Sequence, residues 1–409
     1  MPTTSAHDAV DEVARTSYGR LVAYFASRSG DLAAAEDALA DAFEAAVRTW
    51  PVSGVPDRPV SWMITAAKRS MIGRQRRDDT AARAAPTLAL LADERADIAD
   101  TVIADKRLEL LFVCAHPAID PSMHAPLMLQ SVFGIDVARM SPAFMVEPAT
   151  LGQRLVRAKR KIAEARIPFT LPSGDDLGPR TGAVLDAIYA AYGAGWEDPA
   201  GEDTARTGLT TEAVRLADVL AELRPSDGEV LGLAALLHHL EARARARRDD
   251  DGAFVPLTEQ DPWRWSPGHL AIGEQLLNAA LALGPAGPYA LMAAISSVHH
   301  RRVFTDSTDW PTIARLYDQL LVLRPAVGVA VARAAALLES GAPAEAAAGL
   351  AAIDPALADR YQPYWAVLAE WAKRMGDTAT RVTARARALA LTHDPAVRAH
   401  LERRWADPA

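Results

Sequence analysis

The chain has little cysteine, few aromatic residues and no long apolar run. Its one cysteine among 409 residues, Cys114, cannot form an internal disulfide or a multi-cysteine zinc site, which favours a reducing compartment. No 18 consecutive apolar residues occur, and the start lacks the basic-then-apolar order of a signal peptide. We therefore expect a cytoplasmic protein that makes no membrane contact.

The charge is acidic overall but unevenly distributed. A net charge of -8 argues against nucleic acid as a partner of the whole surface. Two stretches differ: Lys68 to Arg77 holds five cations and no acid, and Arg154 to Arg166 holds six cations against Glu164. Either stretch alone is more often a solvated helix face than a nucleic-acid contact.

The fold class predicted from the sequence is all-α. Alanine and leucine dominate, apolar residues recur at spacings of three and four, and no convincing strand is present. Proline and glycine break the pattern at 50–59 and 170–180. The pattern predicts a helical domain over 1–78, a linker over 79–104, a second helical domain over 105–170 and a long helical extension over 177–409.

The extension repeats a Leu-x-Pro signal at 223–225, 283–285 and 323–325. Around the third signal, large residues followed by small ones resemble a tetratricopeptide helix pair. An irregular bundle of proline-terminated helices is the alternative interpretation. Trp263 and Trp265 are candidates for a partner contact on a loop, with packing against the extension as the alternative.

Residues 134–169 predict a helix-turn-helix with a long basic second helix. Leu151, Leu155, Ala158 and Ile162 share one face, which we expect to be buried. The outward residues near the helix start suit base edges in a major groove, and the later cations suit phosphates. The candidates are Thr150, Gln153, Arg154 and Arg157 for bases and Lys159, Arg160 and Lys161 for phosphates.

Two further segments carry charge patterns suited to partners. Asp37, Asp41 and Glu44 are spaced by four and three, which gives one acidic stripe for a basic helical partner. A solvated helix face would have the same spacing. The basic helix that follows is expected to turn its cations to solvent, where they can track a DNA backbone: Lys68, Arg69, Arg74, Arg76 and Arg77.

These segments resemble, in order and approximate spacing, the extracytoplasmic-function sigma factors that carry a tetratricopeptide-like extension. The string Thr-x-x-Gln-Arg-Leu-x-Arg-Ala-Lys-Arg from Thr150 is similar to the promoter-contacting helix of sigma region 4. Residues 32–78 resemble region 2, and FVCAHP at 112–117 resembles the family's Cys-Cys-His-Pro signature. PWRWSPGHLAIGEQLL and GPYALMAAISSVH resemble segments of the extension.

The resemblance implies a non-catalytic factor whose partners are core RNA polymerase and promoter DNA, at the -10 element through region 2 and the -35 element through region 4. It places polymerase binding on Glu36, Asp37, Asp41 and Glu44. The extension is expected to regulate activity and to offer a surface for a regulatory protein or ligand.

Departures from the family pattern leave a second hypothesis open. Arg139 and Pro142 stand where the family prefers glutamate and a helix former, which favours a sigma-like scaffold that has lost promoter recognition. A helical hydrolase is a weaker third hypothesis. Adjacent histidines such as His238 and His239 point about 100° apart on a helix, and Cys114 has an apolar setting. We expect no catalytic residues, no metal site and no cofactor.

Overall fold

The computed structural model describes residues 5–77, 105–173, 176–196, 208–305 and 307–406, and of residues 75–77 and 196 it describes the backbone alone. The described chain is helical throughout and contains no strand, only an isolated bridge between Arg248 and Phe254. The predicted all-α class is confirmed. The predicted linker over 79–104 lies outside the described residues.

The chain divides into two compact units, residues 1–216 and 217–409. The domain boundaries expected from the sequence stay predictions. The helices of the first unit are α1 (Ala6–Ser29), α2 (Leu32–Ser53), α3 (Pro59–Arg77), α4 (Arg107–Cys114), α5 (Pro121–Ser131), α6 (Val137–Phe144), α7 (Pro148–Glu164), α8 (Leu177–Trp196) and α9 (Leu209–Leu223), the last of which contains the boundary.

Local signals explain where the first helices begin and end. Ser5 accepts a bond from the Asp8 amide, and the Asp8 side chain accepts one from the Ser5 amide, a capping box that starts α1. Gly30 ends α1 with φ of 70°, a left-handed conformation that glycine adopts without strain. Asp31 then caps α2 through the Ala34 amide.

The first unit packs around α1, α2 and α5. Gly19 of α1 lies so close to α5 that a Cβ there would be 1.9 Å from the Val132 carbonyl oxygen, so only glycine fits. Helix α7 packs on α2, α5 and α6, and its predicted face, Leu151, Leu155, Ala158 and Ile162, is buried as expected. Helix α8 packs on α4 and α5.

Helix α6 accommodates a proline inside its last turn. The helix begins after Asp136, whose carboxylate accepts a bond from the Arg139 amide, and continues through Pro142 to Phe144. Met145 follows with φ of 52° and is almost fully exposed, and α7 begins three residues later. A short helix, a left-handed turn and a long basic helix therefore follow one another between residues 137 and 164.

The second unit continues the helical pattern. Its helices are α10 (Gly228–Ala242), α11 (Pro267–Ala282), α12 (Pro288–His300), α13 (Arg302–Thr305), α14 (Trp310–Leu323), α15 (Val327–Glu339), α16 (Pro343–Ala351), α17 (Pro355–Ala358), α18 (Gln362–Met375), α19 (Thr378–Ala390) and α20 (Pro395–Trp405). Most of these helices pack on near neighbours in the chain. Two Leu-x-Pro signals coincide with the ends of α9 and α14, as proline-terminated helices require.

The two tryptophans of the 262–265 segment separate. Trp263 is 91% exposed, whereas Trp265 is buried with its ring 5.0 Å from that of His300 and under the Arg302 guanidinium. Trp265 therefore packs inside the extension, whereas a partner contact at Trp263 stays a prediction. Among the described residues, no helix is both long enough and apolar enough to cross a membrane.

Candidate functional site

The outward face of α7 is an exposed basic surface. Its buried residues sit at the three and four spacing, so the intervening positions must face solvent. Six of the seven residues predicted here are exposed, and Val156 adds an apolar side chain that is 67% exposed. These six are Thr150, Gln153, Arg154, Arg157, Arg160 and Lys161.

Three of these cations line a cavity of 480 Å³ between α7 and the start of α5. Arg154, Arg157 and Lys161 form one wall, and Asp120 and Ser122 contribute the opposite side. Hydrogen bonds from Ser122, with a smaller contribution from Arg154, hold the pKa of the Asp120 carboxyl below its ordinary value. The basic side chains therefore converge on a concave surface.

The seventh residue, Lys159, is buried rather than exposed, so the expectation that it faces solvent was wrong. Its ammonium bonds the Glu36 carboxylate of α2 and lies 2.7 Å from Gln130 Oε1. Ser131 Oγ donates to the other Glu36 oxygen at 2.6 Å. Lys159 follows Leu155 by four and precedes Ile162 by three, which places it on the apolar face.

The pair of Glu36 and Lys159 joins α2, α5 and α7 inside the first unit. The two side chains are 15% and 9% exposed, so Glu36 also does not belong to an open acidic stripe. Burial first, and Glu36 second, raise the pKa values of the Tyr18 hydroxyl and the Cys114 thiol. Cys114 is buried, as its apolar sequence context predicted.

The other acids of α2 remain at the surface. Asp37 and Asp41 are bound by the Arg74 guanidinium of α3: Nη1 lies 2.8 Å from Asp37, and Nη2 and Nε lie 2.7 and 3.1 Å from one oxygen of Asp41. The Asp41 carboxylate raises the pKa of Arg74 above its ordinary value. Glu44 is exposed further along the same helix.

The basic helix α3 is only partly as expected. Arg69 is exposed, but Lys68 is 3% exposed because it shares the face of Met71 and Ile72, three and four residues later. The expectation that Lys68 projects to solvent was therefore wrong. The side chains of Arg76 and Arg77 lie outside the described residues.

Gln130 and Ser131 are site neighbours that the sequence did not predict. Their contacts with Lys159 and Glu36 span 29 and 95 residues, and no local spacing encodes such pairs. In the part of the chain that the structure describes, no group of three or more histidine, cysteine, aspartate or glutamate side chains is placed to hold a metal ion.

Comparisons with known proteins give partial similarities and one that is nearly full-length. Residues 180–281 match a protein family of unknown function, DUF6596. The chain is 26% identical over 168 residues to the probable ECF RNA polymerase sigma factor SigI of Mycobacterium tuberculosis, covering 40% of this chain and 57% of that protein. No solved structure matches.

The nearly full-length similarity is to an uncharacterized protein of Rhizobium meliloti (strain 1021). The two chains are 34% identical over 404 residues, which covers 96% of this chain and 94% of that protein. A similarity of this extent covers most of both compact units. The chain therefore belongs to the same family as this uncharacterized Rhizobium meliloti protein.

Proposed function

We propose that the protein is a sigma factor of the extracytoplasmic-function type, which binds core RNA polymerase through α2 and promoter DNA through α7. The observation that carries the proposal is the exposed basic face of α7, which follows a short helix and a tight turn. The partial similarity to the probable sigma factor SigI supports it. Such a factor does no chemistry itself, needs no cofactor and works in the cytoplasm.

The geometry divides the predicted contacts into accessible and buried groups. On α7, Arg154 and Arg157 can reach base edges, while Arg160 and Lys161 can reach phosphates. On α2, the polymerase surface consists of Asp37, Asp41 and Glu44. Glu36, Lys68 and Lys159 would serve the fold that presents these surfaces.

The experiment is reconstitution with purified core polymerase and a mapped promoter. Charge reversal by Asp37→Arg with Asp41→Arg should abolish co-purification with the core, because attraction becomes repulsion. Arg154→Ala with Arg157→Ala should leave that complex intact and reduce promoter-specific transcription at least tenfold, since each base contact discriminates by about 1 to 3 kcal/mol. The first variant should therefore lose polymerase binding, whereas the second should lose promoter-specific transcription and keep polymerase binding.

The matched control is Asp250→Arg with Asp251→Arg. These acids are also exposed, and Asp250 also pairs with an arginine, Arg264 at 3.1 Å. The control should behave as the wild type in both assays. A wild-type chain that forms no complex with core polymerase would overturn the proposal.

A scaffold without promoter recognition is the second candidate function. Pro142 within α6 and the burial of Lys159 favour it, because both reduce the resemblance of this segment to a DNA-binding module. A chain that binds core polymerase but protects no promoter from footprinting reagents would support this candidate.

A further inference from the structure

Arg74 contacts two of the three acids of the proposed polymerase surface. Asp37 and Asp41 are four residues apart on α2, and Arg74 reaches them from α3, where Ser70 one turn earlier also bonds Asp41. The guanidinium therefore occupies the place that a basic side chain of the partner would take. Arg74 is itself among the cations predicted to follow the DNA backbone.

The cation that pairs with Asp37 and Asp41 can be exchanged for another one. The side chains of Arg74, Asp37 and Asp41 are 37%, 61% and 42% exposed, so water screens their attraction. Exposed ion pairs add little to stability, and their partners can be replaced at small cost. The Glu36 and Lys159 pair differs, because breaking a buried pair leaves an uncompensated charge.

We propose that Arg74 is an internal stand-in for a basic side chain of the polymerase, and that polymerase binding displaces it from Asp37 and Asp41 and frees it for the DNA phosphates. This inference rests on the proposed function. In the free chain, the bond between Arg74 and the two aspartates then covers part of the polymerase surface. The same bond keeps Arg74 away from DNA. Binding of either partner releases the group that the other needs.

The coupling between polymerase binding and DNA binding must be reciprocal and modest. If release of Arg74 strengthens DNA binding by some factor, bound DNA strengthens polymerase binding by the same factor. The strength of an exposed ion pair corresponds to about 1.5-fold to 5-fold in affinity. The partner group that replaces Arg74 is a guanidinium or ammonium, because these are the cationic side-chain groups that can pair with both carboxylates.

The test measures affinity for purified core polymerase with the full-length chain. Arg74→Ala should bind the core about 1.5-fold to 5-fold more tightly than the wild type, because the acids are no longer occupied. Arg360→Ala removes one exposed positive charge outside the proposed contacts and should match the wild type. Circular dichroism of each variant verifies that the helices are retained.

A second arm measures promoter DNA binding by the free chain. Asp37→Asn with Asp41→Asn should raise the affinity by a similar factor, and the gain should vanish when Arg74→Ala is added. If the wild type binds core but Arg74→Ala binds no more tightly than Arg360→Ala, the exchange is overturned while the proposed function stands. If the wild type binds no core, both are overturned.

Discussion

Lys159 is the charged side chain whose position in the fold most changes its expected role. Four of its neighbours on α7 face solvent as cations, yet Lys159 lies on the apolar face with its ammonium on Glu36 and Gln130. The four-residue spacing from Leu155 was visible in the sequence. Its acidic partner was not, because the two residues are 123 positions apart.

Lys159→Ala should therefore act on stability rather than on DNA contact. The substitution leaves the Glu36 carboxylate buried with Ser131 as its remaining described partner, which costs about 3 kcal/mol or more. Urea unfolding followed by circular dichroism measures the change. Arg160→Ala, one residue later, removes an exposed pair with Glu164 and should cost less than about 1 kcal/mol. Equal costs for the two variants would contradict a structural role for Lys159.

At the scale of elements, helix type and the buried face of α7 were predictable because both follow from short spacings. The face formed by Leu151, Leu155 and Ile162 needed only the 3.6-residue period. Contacts between helices were harder to predict from the sequence. The bond of Arg74 to Asp37 and Asp41 depends on how α3 packs on α2, which no local pattern specifies.

Histidines on α10, α11 and α12 form pairs between helices that no local sequence pattern specifies. His238 Nδ1 lies 2.8 Å from His269 Nδ1, and His239 Nδ1 lies 3.1 Å from His300 Nδ1. The sequence indicated only that adjacent histidines such as His238 and His239 point in different directions, and it did not predict their pairing across helices. Burial lowers the pKa of His239 to about 4 and that of His300 to about 2, with Glu274 opposing the shift at His239.

These depressed pKa values predict that acid destabilises the packing of α10 against α12. The unfolded chain takes up protons as the pH falls below the ordinary histidine value of 6.5, whereas folded His239 resists until about 4. Stability is therefore fully present above 6.5 and is lost progressively between 6.5 and 4. Urea unfolding of the full chain at several pH values measures this slope.

The variant that tests this prediction is His239→Gln with His300→Gln. It should reduce the slope between pH 6.5 and 4, because neither glutamine takes up a proton. Burial also lowers the pKa of His299 to about 4, so part of the slope should remain. An unaltered slope in the double variant would show that the acid sensitivity arises elsewhere.

At the scale of the whole molecule, the effect of a truncation depends on whether the cut falls inside the first compact unit or after it. The sequence predicted a domain end near residue 170, and the first compact unit extends further, through α8 to Leu216 within α9. Arg107 of α4 is buried and bonds Glu212 of α9 at 2.7 Å, and Arg215 of α9 reaches Asp105. Within α8, Val184, Leu185, Ile188 and Tyr192 are buried.

A chain ending at Pro172 should consequently be much less stable than one ending at Arg224. The shorter chain exposes the surfaces of α4 and α5 that α8 covers, and each large apolar side chain lost from a core contributes about 1.5 to 3 kcal/mol. It also leaves Arg107 with Asp105 as its one remaining described acidic partner. Thermal unfolding followed by circular dichroism measures the unfolding midpoint of each truncated chain. Equal midpoints would show that α8 and α9 do not stabilise the rest of the first unit.

The chain ending at Arg224 then isolates the contribution of the residues that follow. It retains the exposed faces of α2 and α7, so it should bind core polymerase as the full chain does. We expect these residues to present a long helical surface to a partner, as helical repeats do, so their loss should remove most transcription from the chain's own promoter. Increased transcription would instead make these residues an inhibitor, and wild-type transcription with purified core would remove them from the mechanism.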